Sequence, residues 1–250
     1  ERLAAGTVLL SDKTGTLTQG HPEVTDVVAA PGADPDTALR LAASLDQVSA
    51  HVLAGSVVHA ARHRGLELDM PSEVAEVHGY GIEGVVAGHR VRVGKSSWIV
   101  GDETPRWVRQ VKRRADLDGS LTVFVGVDDA PACALLLEDP IRPDAPRTIR
   151  ALRDAGIERV VLVTGDRSDI AEMVGRVVGV DAVVAECDPA GKLTTLARES
   201  ERGATIMVGD GINDAPALAA AGVGVALAAR GATASSEAAD VVLTVDRIDA

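Results

Sequence analysis

Beyond Ile141, short uninterrupted apolar runs alternate with stretches whose apolar positions recur at helical spacing. The pattern predicts helices over 144–155, 169–178, 189–202 and 214–221. Between them it predicts strands over 159–163, 182–185, 204–208, 223–227 and 240–244. Strands that are apolar at every position, not at every second one, are buried on both faces, so the expected fold is α/β with a doubly wound, mostly parallel sheet. Residues 7–10 have the same character but stand far from the next such unit, and the intervening tract has a different texture. There, apolar and polar residues alternate over 83–87, 89–93 and 122–127, the mark of an antiparallel sheet, with helices predicted over 36–45, 52–64 and 105–117. The chain therefore reads as two domains. Residues 1–20 and 138–250 form the doubly wound one, and 21–137 form an inserted α+β domain.

Composition narrows this picture. A chain of 250 residues suits two domains, and 46% hydrophobic with 25% charged residues is the balance of a folded protein. No apolar run approaches the roughly 18 to 20 residues of a membrane helix, and the N-terminus lacks a charged-then-apolar leader. A formal net charge of -12 would repel a phosphate backbone, and 2% aromatic residues offer little for stacking bases, so nucleic acid is not an expected partner. Cys133 and Cys187 stand far apart with no neighbouring thiol, and are expected to be reduced, unpaired residues.

The chemistry-bearing residues fall at strand ends. Asp12 follows the first buried strand, Thr164, Gly165 and Asp166 follow the strand over 159–163, and Gly209, Asp210 and Gly211 follow the strand over 204–208. Ligands of open α/β sheets bind at the carboxyl ends of the strands, so three loops are expected to converge on one crevice, with Lys192 in reach. A nucleophilic carboxylate, a second carboxylate for a divalent cation, a hydroxyl and an ammonium are what phosphoryl transfer needs. The transferring group spreads negative charge over its oxygens while an oxygen attacks in line. Hard carboxylate oxygens suit Mg²⁺.

Asp12 to Thr18 reads DKTGTLT and Gly209 to Leu218 reads GDGINDAPAL; with Thr164-Gly165-Asp166 and Lys192 between them, the chain resembles the phosphorylation domain of P-type ATPases, in the haloacid dehalogenase superfamily. The resemblance implies that Asp12 takes the phosphoryl group of ATP, that Asp210 and the Thr14 carbonyl join Asp12 around Mg²⁺, and that Thr14, Thr164, Gly165, Asp166, Lys192, Asn213 and Asp214 surround the phosphoryl group. Related phosphatases carry a second aspartate two residues after the nucleophile, where this chain has Thr14. Without that acid and base, an aspartyl phosphate should persist long enough to drive a conformational cycle.

In the inserted domain, Asp46, Ser49, His51 and Leu53, followed by Gly79-Tyr80-Gly81, are similar to the nucleotide-binding domain of the heavy-metal-transporting subgroup. The chain departs from that pattern with Asp46 for Glu, Ala50 for Glu, Val52 for Pro and Lys95 for Asn. The resemblance implies that Asp46, His51, Gly79, Gly81 and Lys95 bind ATP, the glycines allowing close approach of the backbone. Gly79, Gly81 and Gly84 also spell a dinucleotide fingerprint, but a period-two stretch follows where a helix is required, and that reading fails. His59 and His63 lie four apart on a predicted helix without an evident third metal ligand, and read as a solvated face. Glu138-Asp139-Pro140 marks the return to the first domain, a proline-stiffened hinge about which closure would carry the γ-phosphate to Asp12.

The expected function is thus the ATP-binding and phosphorylating part of a pump for a transition-metal cation. The chain begins just before the nucleophile strand and ends soon after the last one. Its further partners would be the membrane and actuator domains of a larger protein, placing it on the cytoplasmic side of a membrane. A free-standing phosphatase of the same superfamily, or a nucleotide-binding module without catalysis, are the alternatives.

Overall fold

The computed structural model describes residues 2–101, 104–210, 212–227 and 237–244. It separates into two compact units, Glu1–His21 with Asp139–Ala250, and Pro22–Glu138.

The first unit holds strands β1 (Val8–Ser11), β8 (Arg159–Val163), β9 (Ala182–Val184), β10 (Thr205–Gly209), β11 (Val223–Leu227) and β12 (Val241–Leu243). All neighbours pair in parallel, in the order β12-β11-β10-β1-β8-β9. Helices α5 (Ala145–Asp154), α6 (Ser168–Val178), α7 (Pro189–Ser200) and α8 (Ala215–Ala220) connect them. Alternate residues of the strands feed two separate cores. Leu9, Val160 and Leu162 pack with Ile149, Val174 and Val178 of α5 and α6. Val8, Leu10, Val161 and Val163 pack with Leu196, Ala217 and Leu218 of α7 and α8. Helices on both faces explain why these strands are apolar throughout, as the hydrophobic pattern required.

The second unit holds β2 (Glu23–Ala29), β3 (Ser72–Val77), β4 (Gly81–Val86), β5 (His89–Gly94), β6 (Leu121–Val127) and β7 (Ala130–Glu138). They form an antiparallel sheet in the order β2-β7-β6-β5-β4-β3. One face carries α1 (Pro35–Asp46) and α2 (Ala54–His63), through Leu39, Leu41, Leu45, Val57 and Ala61. The other carries α3 (Ser96–Ile99) and α4 (Arg106–Asp118), through Ile99, Val108, Val111 and Ala115.

Three of these strands escaped the sequence reading. The alternation expected of antiparallel strands fails in β7, whose residues Cys133 to Leu137 are buried without a break, because Cys133, Leu135 and Leu137 face α1 and α2 while Ala134 and Leu136 face α4. β2 and β3 are edge strands, β3 mostly exposed and β2 with Val27 as its one buried residue, so their apolar signal is weak. The predicted helix over 52–64 starts two residues later, at Ala54; a bend at His51 and a turn over Val52 and Leu53 present His51 and Val52 to solvent.

Candidate functional site

Asp12 stands where β1 ends, and Lys13–Leu17 then make a tight turn in which Gly15 adopts φ 67. A Cβ at Gly15 would lie 1.6 Å from Asp210 Oδ2, so only glycine lets this turn close on the end of β10. Arg142, buried just after β7, braces the turn by donating from Nε to the carbonyls of Thr16 (2.9 Å) and Thr18 (3.1 Å). The Thr18 hydroxyl donates to Asp139 Oδ2 at 2.6 Å. Neither Arg142 nor Lys13 was singled out from the sequence. A bracing arginine has a signal only once the turn it braces is known.

Lys192 reaches the same crevice from the first turn of α7. The Asp188 side chain accepts from Gly191 N at 2.7 Å and Pro189 occupies the start of the helix, which sets the direction of that turn. The Lys192 ammonium donates to Asp12 Oδ1 and to Asp214 Oδ1, each at 2.5 Å, and all three side chains are buried. Burial, reinforced by the charge of Asp214, pushes the Asp12 carboxyl up to about 6 against the opposing pull of Lys192. Burial works against the Lys192 charge, but Asp12 and Asp214 outweigh it and hold the ammonium above its ordinary range.

A pocket of about 310 Å³ is lined by Asp12, Thr14, Thr164, Gly165, Asp166, Lys192, Asp210, Asn213 and Asp214, so every residue predicted for this site meets here. Gly211 lies outside the described residues. Asp166 is turned toward its neighbours: it pairs with Lys13 at 2.7 Å and accepts from the Thr164 hydroxyl at 3.0 Å. Cys187 also lines the pocket, its thiol pushed up by burial. Both cysteines are free and buried, and burial raises Cys133 to about 12.

Carboxylate oxygens of Asp12, Asp210 and Asp214 lie within 4.8 Å of one another, a hard-oxygen set of the kind Mg²⁺ takes. Asp214 joins this cluster in addition to the predicted Asp12 and Asp210, but it is already bound to Lys192. His59 and His63 are both exposed on α2, with ring centroids 6.3 Å apart.

The second unit has its own pocket, about 590 Å³, within the size range of small-molecule sites. It is lined by Asp46, His51, Gly79, Gly81 and Lys95, the five residues expected there, and also by Glu76, His78, Tyr80 and Thr122. Gly81 has φ 156, and a Cβ on it would sit 2.1 Å from the Val93 carbonyl; one on Gly94 would sit 2.2 Å from the Tyr80 carbonyl. The two backbones thus run in contact beside the pocket. β4 begins at Gly81, so the glycine triplet leads into a strand and not the helix a dinucleotide site needs. His51 is exposed, its Nδ1 accepting from Leu53 N at 3.2 Å, which holds the ring at the pocket rim.

Residues 7–222 match the model of a hydrolase family, the haloacid dehalogenase-like hydrolases. The chain is 38% identical over 246 residues to "Copper-transporting ATPase 1" of Rhizobium meliloti, covering 97% of this chain and 29% of that protein. It is also 38% identical over 250 residues to "Copper-exporting P-type ATPase" of Mycobacterium tuberculosis, covering 100% and 32%. A crystal structure of a zinc-transporting PIB-type ATPase in its E2.Pi state superposes with a TM-score of 0.83 and 31% identity, over 99% of this chain and 40% of that one. The chain thus spans about a third of the length of the curated relatives it matches. Among the described residues no helix is long and apolar enough to cross a membrane. Motif order, sheet topology and these likenesses, to the phosphorylation and nucleotide domains of heavy-metal P-type ATPases, lead to one conclusion: the chain belongs to the haloacid dehalogenase-like hydrolase family.

Proposed function

We propose that this chain is the phosphorylating and nucleotide-binding part of a P-type ATPase that moves a transition-metal cation, and that Asp12 is its phosphoryl acceptor. The observation that carries this reading is the buried Asp12–Lys192–Asp214 cluster at the meeting of three strand-end loops, with Thr14 where a hydrolase of this family would need a second carboxylate.

Asp12 attacks the γ-phosphorus through a carboxylate oxygen; the new O–P bond forms as the bond to the bridging oxygen breaks, and ADP departs with that electron pair. Lys192 neutralises Asp12 in the resting site and offers its ammonium to the incoming phosphoryl oxygens. Thr14, Thr164, Gly165 and Asn213 border the space that group would occupy, and Asp214 fixes Lys192. Asp166 orients Lys13 and Thr164 at the rim. Asp12, Asp210 and the Thr14 carbonyl would hold Mg²⁺, which when bound offsets charge on the transferring phosphoryl group. Thr14 has no carboxylate with which to activate water, so the phosphorylated Asp12 is long-lived. Asp46, His51, Gly79, Gly81 and Lys95 hold ATP in the pocket of the second unit, and domain closure delivers its γ-phosphate. Membrane-spanning and actuator domains of the larger protein couple the cycle to ion movement, with this part on the cytoplasmic side.

The test is labelling by γ-phosphate-labelled ATP with Mg²⁺. An acid-stable, hydroxylamine-sensitive label that disappears in Asp12→Asn supports the reading. Rapid hydrolysis of small phosphomonoesters without accumulation of label overturns it in favour of a phosphatase.

A further inference from the structure

Asp46 is the last residue of α1 and forms part of the wall of the 590 Å³ pocket, yet it is only 6% exposed. Among the described residues its carboxyl takes part in no hydrogen bond or ion pair. The other ionisable groups around the pocket are His51 before α2, Glu76 in β3, His78 and Tyr80 in the turn that follows it, and Lys95 after β5. β6 contributes only Thr122 and Val123. None of them pairs with Asp46; Glu76 accepts instead from Ala50 N at 3.4 Å. A carboxyl that is buried, unpaired and facing a cavity pays for ionisation with no compensating contact, and the proton is the cheapest neutraliser.

The chemistry of such a group differs from that of an ordinary aspartate. Ionised, it only accepts hydrogen bonds; protonated, it donates through one oxygen and accepts through the other, like the amide of asparagine. An adjacent acceptor and amino donor on the rim of a ring is the edge presented by adenine, and asparagine or glutamine reads that pair bidentately. An ionised carboxylate instead suits guanine, whose ring N–H and amino group are two adjacent donors. We propose that Asp46 meets the nucleobase as a neutral carboxylic acid, donating to a ring nitrogen of adenine and accepting from its amino group, and that this protonation state selects adenine over guanine. The inference rests on the nucleotide reading of this pocket and adds to it the basis of base choice. Burial alone pushes Asp46 up to about 7, so both states are within reach of ordinary buffers.

The experiment is calorimetric titration of the whole 250-residue chain with ATP and with GTP, without Mg²⁺, from about pH 6 to about pH 8, where the bases themselves do not titrate. Groups that meet the triphosphate act on both nucleotides alike, so the ratio of the two affinities isolates the base. The preference for ATP is expected to fall about tenfold across this range, the discrimination of one bidentate base contact. Asp46→Asn, which keeps a donor and an acceptor without titrating, is expected to retain the preference for ATP and make it independent of pH. Asp46→Leu is expected to lower it at every pH. A wild-type ratio that stays flat or rises with pH, with both nucleotides bound, overturns this inference and leaves the nucleotide reading intact. Failure of ATP to bind at any pH overturns both.

Discussion

Asp12 and Asp46 are both buried carboxyls in pocket walls, and both are held above the ordinary carboxylate range, but their surroundings differ. Asp12 has Lys192 at 2.5 Å and Asp214 beyond it, so its charge is carried by a network in which a cation opposes burial. Asp46 has burial alone acting on it. The first arrangement keeps a carboxylate ionisable inside the protein, whereas the second favours the neutral carboxylic acid. A raised carboxyl is therefore a poor guide to role until its partners are known.

The harshest way to break this contrast is to remove the cation. Lys192→Met leaves Asp12 and Asp214 buried together without a counter-charge, and should cost about 3–5 kcal/mol in denaturant unfolding at neutral pH. The deficit should shrink in acid, where the two carboxyls take up protons, and phosphorylation by ATP should be lost at every pH. Equal stability of variant and wild type at pH 7 would mean the cluster is not held as the geometry indicates.

Asp46→Asn should do the opposite. The folded chain keeps a proton on Asp46 that the unfolded chain releases near the ordinary value of 3.8. The stability this confers is fully present below that value and lost as pH rises through about 7. The asparagine variant escapes the loss, so it should match wild type near pH 4 and exceed it at pH 8, by at most about 4 kcal/mol. Thermal unfolding at the two pH values reads the difference directly.

Gly15→Ala should separate chemistry from nucleotide binding. The added Cβ displaces Asp210 and strains a left-handed turn, so labelling of Asp12 should fall about 100-fold, the cost of roughly 1 Å of misplacement, while ATP affinity stays unchanged. The smallest effect is expected at Val52, which departs from the resembled motif but is 80% exposed: Val52→Ala should change stability by less than about 0.5 kcal/mol.

Much of the candidate site around Asp12 was legible because strand ends of a parallel sheet converge by topology. Once β1, β8 and β10 were recognised, Asp12, Thr164 and Asp210 had to share one edge. Lys192 was legible through its motif, but its double contact with Asp12 and Asp214 was not, since distance across two loops has no sequence signature. The inserted unit was read less fully. β2 and β3 are edges with few buried positions, β7 is covered on both sides, and only β4, β5 and β6 met the alternation rule well enough to be recognised. Arg142 and Lys13 went unread for a related reason: a brace is defined by what it holds.

The sequence alone determined the two-part organisation, the parallel sheet of the first unit and which polar residues fall at its strand ends, because apolar periodicity and ordered motifs are local properties of the chain. Only the tertiary structure decided that Asp12 is tied to Lys192, that Arg142 braces its turn and that Asp46 is buried without a partner. Burial and pairing depend on residues distant in sequence, and the charge state of a carboxyl depends on both.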